Sequence, residues 1–370
     1  MTSAAGKVSL RPQPNLLRPM ALDPLPEHPL VSILISNRNY AAFLKNAIES
    51  CLGQTYDNLE IIVCDDGSTD DSLQILKHYE SVEKRIKVIY QHNGGQALAL
   101  NSAFRESAGE IICLLDADDI FMEDKVKCVV DAFAVAPDSG FMVNRMLRVD
   151  RTGKCLGEIP LLRQLPSGWH GDNTFLIGPK ILAGLPPTSG ISLRRSIAKA
   201  IFPLPEDLKV YADIPFQVLA PMMTSIVAVQ TPLSEYRMHG ANAAAVSKYS
   251  AAHLQTLASF ERERWRVWQG YLESSSESQP DISYATDEVP SLMAYACARF
   301  RSDPRSRVAY GLIPLDYLRT LPKFQQWYWR VSLFLPDWLF RTSFNFVYGH
   351  TRAKIVIGRI LRACRNGPRY

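Results

Sequence analysis

No stretch of this chain holds the roughly 18 apolar residues that a membrane-spanning helix needs, which excludes a protein built on transmembrane spans. No basic segment leads into a long apolar run and a small-residue cleavage site near the first residue, so secretion is not expected. The seven cysteines form no C-x-x-C pair and several fall inside apolar runs. They read as core residues in a reducing, cytoplasmic setting. An excess of charge of one sign is missing too: the formal net charge is only +4, so the average gives no reason to expect nucleic acid as a partner. No internal repeat is visible. With 47% hydrophobic and 21% charged residues, wholesale disorder is excluded.

What is present is enough chain for one large α/β domain and a smaller appendage, since single cores grow poorly beyond roughly 250–300 residues. Residues 1–29 carry six prolines and read as a flexible leader. From Leu30 the pattern turns periodic. Val31 to Ser36 has strand length, and Leu44, Ala47, Ile48, Cys51 and Leu52 follow at helical spacing, closed by Gly53. The alternation repeats with strands at Leu59 to Cys64, Ile86 to Tyr90 and Glu110 to Leu115 and helices at Leu73 to Tyr79 and Gln96 to Ser107. Such alternation predicts a mostly parallel sheet flanked by helices, with ligands beyond the carboxyl ends of its strands. Residues 30–120 form the nucleotide-binding half of that reading and 121–245 the acceptor half. Residues 246–370 read as a helical extension.

The polar residues after each strand should therefore meet in one crevice: Asn37 to Asn39, Asp65 and Asp66, Asn93 to Gln96, and Asp116 to Asp119. In Asp65-Asp66-Gly67-Ser68-Thr69-Asp70-Asp71, Gly67 supplies a turn and Ser68 with Asp71 reads as a capping box. That leaves Asp65 and Asp66 as adjacent carboxylates able to accept from a base or a ribose. In Asp116-Ala117-Asp118-Asp119, Asp116 and Asp118 project together while Asp119 is free to cap the next helix. Few hard oxygen ligands suit Mg²⁺ or Mn²⁺, which complete their shells with water and phosphate.

Three segments in series, VSILISNRNYAAFL, QTYDNLEIIVCDDGSTDDS and NGGQALALNSAFRESAGEIICLLDADD, resemble glycosyltransferase family 2. The resemblance implies an inverting enzyme of GT-A fold that takes a nucleotide-diphosphate sugar, with UDP favoured, and a glycan or lipid-linked glycan acceptor. It implies that Asp66 contacts the base, that Asp116 lies at the ribose and diphosphate, and that Asp118 binds the divalent cation. Ser36, Arg38, Asn39, Asn93 and Gln96 fall on the donor side. Arg38 stands where the family has an aromatic residue; a guanidinium plane can also stack on a base, and the alternative is a surface arginine. In Tyr211-Ala212-Asp213-Ile214-Pro215-Phe216, Asp213 takes the place of the catalytic base, although Ala212 replaces the usual Glu. Competing readings are a helix cap, or Glu206 or Asp207 as the base. Tyr236-Arg237-Met238-His239-Gly240-Ala241-Asn242 resembles the family's Y-R-x-H-x-x-N segment and makes His239 a third metal ligand, against a structural histidine. The segment Thr188 to Arg195 resembles the acceptor-side loop, with Ser189, Gly190 and Arg194, against a turn leading into a basic helix.

From Arg341 onward there are seven Lys or Arg and no Asp or Glu. On a helical wheel Ala353, Ile357, Ile360, Leu361 and Cys364 share one face and the basic residues the other. Residues 327–370 thus read either as a peripheral contact with the cytosolic face of a membrane or as a helix packed on the domain, and these helices could equally pair protomers. Two other functions stay open: a nucleotidyltransferase, against which stands the lack of a Gly-rich phosphate loop after the first strand, and a sugar-nucleotide-binding module without turnover.

Overall fold

The computed structural model describes residues 18–159, 165–171, 185–208, 211–239, 250–274, 292–302, 323–332 and 334–348. Its first half alternates as the periodicity implies: β1 (Val31–Asn37), α1 (Ala41–Leu52), β2 (Leu59–Asp66), α2 (Ser72–Val82), β3 (Ile86–Gln91), α3 (Gln96–Glu106) and β4 (Ile111–Asp116). β1 pairs in parallel with β2 on one side and β4 on the other, and β3 adds beyond β2. The chain therefore leaves β1 in one direction and returns on its far side, which opens a crevice beyond the carboxyl ends of β1 and β4.

Alternation of side chains explains why these strands are apolar throughout. Ile33 and Ile35 of β1 join a core with Leu44, Ile48 and Leu76 from α1 and α2, whereas Leu34 between them joins a core with Ala97, Leu100 and Ala103 from α3. Each such side chain taken out of water stabilises the fold by roughly 1.5–3 kcal/mol.

Beyond β4 the sheet becomes mixed. The elements are β5 (Ile120–Phe121), α4 (Lys125–Val135), β6 (Ser139–Asp150), β7 (Cys155–Glu158), a 3₁₀ turn (Thr188–Gly190), β8 (Ile191–Arg194), α5 (Arg195–Ile201), α6 (Ile214–Met223) and β9 (Ser225–Met238). The strand order is β3-β2-β1-β4-β8-β6-β9-β5, with β7 paired to β6. β8 runs antiparallel to both β4 and β6, while β6 and β9 run parallel.

The described part of the leader is fastened to the domain. Met20 N–H donates to Met223 C=O at 2.7 Å, the Tyr56 hydroxyl donates to Pro29 C=O at 2.6 Å, and Leu22 and Leu25 pack on the two cores. Proline content marks a segment without regular structure, not one without contacts.

Among the described residues four further helices follow: α7 (Ala251–Ser274), α8 (Leu292–Arg301), α9 (Lys323–Ser332) and α10 (Asp337–Tyr348). Trp265 and Trp268 of α7 pack on Ile214, Val218 and Met222 of α6, so the helical region buttresses the second half of the sheet domain. Leu254, Tyr295, Trp329, Phe340 and Phe344 build a separate core among α7 to α10. Among the described residues no helix is long and apolar enough to cross a membrane. The amphipathic segment 352–365, and Gly240 to Asn242, lie outside the described residues.

Candidate active site

The carboxylates of β2 and β4 differ in what surrounds them. Asp65 is buried and accepts from Asn37 Nδ2 at 2.7 Å, Ser68 N–H at 3.0 Å and Ser68 Oγ at 2.6 Å. Gly67 makes this turn at φ +71°; a Cβ there would lie 2.9 Å from the Asn93 nitrogen. Asp66, also buried, accepts from Gln91 Nε2, Gly94 N–H and Gly95 N–H, each at 2.8 Å. The loop before α3 is thereby pinned to the end of β2. The capping box is not formed. Ser68 serves Asp65 and Asn39, while Asp70 accepts from Ser72 N–H at 3.0 Å and from Ala41 N–H at 2.9 Å, tying the starts of α2 and α1 together.

At the end of β4, Asp116, Asp118 and Asp119 bring one ligand oxygen each to within 4.8 Å of one another. Asp119 is not the cap expected of it, since α4 starts only at Lys125 with Asp124 before it. Its carboxylate accepts from Ser189 Oγ at 2.6 Å and from Arg237 N–H at 2.9 Å instead. Asp118 meets His239 Nε2 at 2.8 Å, and Arg237 Nε donates to the Asp118 C=O at 3.0 Å. His239 stacks on Phe43, with ring centroids 4.9 Å apart, and the Arg237 guanidinium lies over the same Phe43 ring, 5.4 Å from its centroid. Burial, then the Asp118 and Asp213 charges, raises Asp116 well above the usual carboxylate range; burial and the neighbouring Asp118 and Asp116 do the same to Asp119. Tyr40 is pushed up to about 12 by burial and by the same three carboxylates. Such a group carries an excess of negative charge. A divalent cation held by Asp116 and Asp118, with His239 at hand, fits that excess and would relieve the repulsion.

Gln96 joins this group to the second half of the domain. Its Nε2 donates to Asp116 Oδ1 at 2.8 Å, and its Oε1 faces the Ala212 N–H at 3.4 Å. Asp213 follows directly, immediately before α6, 8% exposed and accepting from Gln217 Nε2 at 2.9 Å. Burial, opposed by Arg264 of α7, takes its carboxyl from 3.8 up to about 6. The two competing bases stand at the surface: Glu206 is exposed, and Asp207 pairs with Arg266 of α7.

Of the other residues singled out in the sequence, Ser36 is half-buried and lies in register with Asp116. Arg38, Asn39 and Asn93 line the rim, exposed. Asn39 adopts φ 59° and uses its Oδ1 to hold Thr69 N–H at 2.7 Å, so its side chain is committed to the loop. Ser189 joins the carboxylate group, and Gly190 is close-packed, because a Cβ would lie 2.4 Å from Pro186. Arg194 parts company with that loop. β8 runs antiparallel to β4, which carries Arg194 to the level of Ile111 at the opposite end of the strand. There its guanidinium donates to the carbonyls of Pro137 (2.7 Å) and Asp23. It is a tether for the leader, away from the crevice. Gln217 and Arg264 beside Asp213 carried no motif of their own, and nothing in the motifs that hold Gln96 and Arg237 revealed the bridge to Ala212 or the contact with Asp119.

The model of the family described as glycosyl transferase family 2 matches residues 32–201, the segment that builds β1 to β4 and the 3₁₀ turn. Residues 32–201 belong to that family. The chain is 33% identical over 227 residues to an uncharacterized glycosyltransferase of Nostoc sp., covering 57% of this chain and 66% of that one. It is 37% identical over 128 residues to chondroitin synthase of Escherichia coli, covering 35% and 19%, and 30% identical over 222 residues to the putative glycosyltransferase EpsH of Bacillus subtilis, covering 58% and 62%. The chain thus spans less than two thirds of each of these relatives. Among solved structures, S. aureus TarS 1-349 in complex with UDP-GlcNAc superposes with a TM-score of 0.52 at 16% identity, covering 80% of this chain and 82% of that one. That likeness bears on the fold, which is of the GT-A type.

Proposed function

We propose that this chain is a metal-dependent inverting glycosyltransferase that moves a sugar from a nucleotide-diphosphate donor, UDP in preference, to a hydroxyl of a glycan or lipid-linked glycan. The observation that carries this reading is the facing of two groups across Gln96: the crowded Asp116 and Asp118 on one side, and the buried Asp213 on the other. Asp116 and Asp118 would hold Mn²⁺ or Mg²⁺, which when bound supplies positive charge against the leaving diphosphate. His239 fixes Asp118 through Nε2 and can share the same cation. Asp66 holds the glycine loop at the nucleoside end, and the exposed Arg38 is free to lie against the base.

Asp213 would take the proton from the acceptor hydroxyl as its oxygen attacks the anomeric carbon from the face opposite the diphosphate, which inverts that centre. A carboxyl near 6 is ionised at neutral pH yet basic enough to assist, and such a base contributes roughly 10²–10⁴-fold. Trp265 and Trp268 keep α6, and with it Asp213, against the sheet domain.

The test is calorimetric binding of uridine, guanosine and thymidine diphosphates, with and without Mn²⁺, to the intact protein and to Asp118→Asn. Metal-dependent binding of one nucleotide, lost in the variant, is the expected result. Failure of all three to bind would sink the reading.

Trp327 on α9, Phe334 in the connection that follows and Trp338 on α10 are 59%, 84% and 68% exposed, with Arg330 exposed among them. The only acid of these two helices, Asp337, pairs with Arg299. Aromatic rings beside unopposed basic charge suit an anionic lipid surface, where a lipid-linked acceptor would be presented. Co-sedimentation with anionic vesicles should fall on Phe334→Ser with Trp338→Ser. Unchanged binding would remove the membrane from this account.

A further inference from the structure

Lys125, the first residue of α4, is wholly buried, and burial lowers its ammonium to about 8. Its Nζ donates to Asn144 Oδ1 on β6 and lies 5.3 Å from the centre of the Phe121 ring. A lysine buried at such cost needs an explanation in the groups it touches. Asn144 is itself wholly buried and lies where the β6–β9 register shifts, between its pairing with Val229 and that of Arg145 with Pro232. A bulge of this kind redirects side chains beside a site. Asn144 Nδ2 reaches Arg145 C=O at 2.8 Å and Ser234 Oγ at 3.2 Å. Ser234 Oγ donates to the Ser189 carbonyl at 2.6 Å. Ser189 Oγ in turn donates to Asp119 at 2.6 Å and accepts the Asp116 N–H at 3.1 Å.

The direction of these bonds is fixed from both ends. An ammonium can only donate, so Asn144 must turn its oxygen toward Lys125 and its amide hydrogens toward Ser234. Ser234 accepts there, and its own proton is left for the Ser189 carbonyl. The Asp116 N–H likewise can only donate, which leaves the Ser189 hydroxyl proton for Asp119. Every side chain in the series is buried.

We propose that Lys125, Asn144 and Ser234 are positioning residues which act through Ser189 to set the spacing of Asp116 and Asp119, and so the affinity of the carboxylate group for a divalent cation. This rests on the metal-binding reading of that group. None of the three is among the carboxylates that would hold the cation.

The experiment is Mn²⁺ titration by calorimetry, in the presence of saturating uridine diphosphate, on the intact protein and on Ser234→Ala, Ser234→Thr and Lys125→Met, each also scanned for its melting temperature. Ser234→Ala is expected to weaken Mn²⁺ binding about tenfold well below its melting transition, the lower end of the effect of outer-shell partners, and Ser234→Thr to restore it. Lys125→Met should move the affinity in the same direction. If Ser234→Ala melts earlier but binds Mn²⁺ as the intact protein does, the series is a packing device only and the proposal is overturned. If the intact protein itself takes up no Mn²⁺, the metal-binding reading fails first and this one with it.

Discussion

At the end of β2, two carboxylates receive six hydrogen bonds from neighbouring side chains and backbone amides; at the end of β4, three carboxylates crowd together with fewer donors, and burial and the neighbouring charges force Asp116 and Asp119 above their usual range. Both places look alike in sequence, as paired aspartates after an apolar strand. The difference is one of electrostatic completeness. The β2 pair is satisfied within the protein and gives the glycine loop its shape, whereas the β4 group, on the proposed reading, would be completed by positive charge from outside.

The sharpest way to use this contrast lies across the crevice, at the carboxylate that faces the β4 group. Asp213→Asn is expected to lower kcat by roughly 10²–10⁴-fold while leaving the calorimetric affinity for uridine diphosphate unchanged. In the unaltered enzyme, kcat/KM should fall as the pH drops through about 6, where Asp213 takes up its proton. A flat profile between pH 5 and 8 would leave the base unidentified.

Next in size is the contrast itself. Asp118→Asn should weaken Mn²⁺-dependent nucleotide binding by at least the roughly 10- to 100-fold that loss of an outer-shell partner costs, while Asp65→Asn should leave Mn²⁺ affinity alone and cost about 1–3 kcal/mol in denaturant unfolding. Equal effects on metal affinity would erase the distinction between the two strand ends.

The titration of these groups gives a further separation. Asp213 rises from 3.8 to about 6, and Asp116 and Asp119 also rise on folding, so the metal-free folded chain binds more protons than the unfolded one. Their stabilising contribution is therefore complete below the ordinary carboxylate range and is lost as the pH rises through their folded values. Added Mn²⁺ should raise the melting temperature more at pH 8 than at pH 5. A pH-independent shift would mean that the β4 group is not where the ion binds. The smallest effect belongs to the rim. Arg38→Ala should weaken uridine diphosphate by about two- to fivefold, the range of an exposed guanidinium–ring contact of about 0.5–1 kcal/mol.

How much of this was legible depends on the range of the interaction. The four parallel strands and their helices follow from Val31, Leu59, Ile86 and Ile111 onward, because a strand buried on both faces must be apolar throughout and a covering helix must show a 3.6-residue stripe. The positions of Asp66, Asp116 and Asp118 at strand ends were visible for the same reason, whereas Asp213 was reached only through the family resemblance. The partners of the polar side chains were not. Ser68 and Asp119 fit local caps, yet Ser68 is claimed by Asp65 and by Asn37 of β1, Asp119 by Ser189 and by Arg237 of β9, and Asp70 takes over the capping of Ser72. Arg194 looks continuous with Ser189 and Gly190 along the chain, but four residues of antiparallel strand carry it to the opposite end of β4.

By itself, then, the sequence determined the alternating α/β half, the crevice at its strand ends and the carboxylates available there, since hydrophobic period and turn chemistry are local properties of the chain. Only the tertiary structure decided which aspartates are satisfied internally, how Gln96 spans from Asp116 to the backbone beside Asp213, how α7 holds α6, and how a buried lysine reaches the carboxylates through Asn144, Ser234 and Ser189. Hydrogen bonds and charge repulsion depend on separations of a few ångströms between residues about a hundred positions apart, and no local pattern encodes those separations.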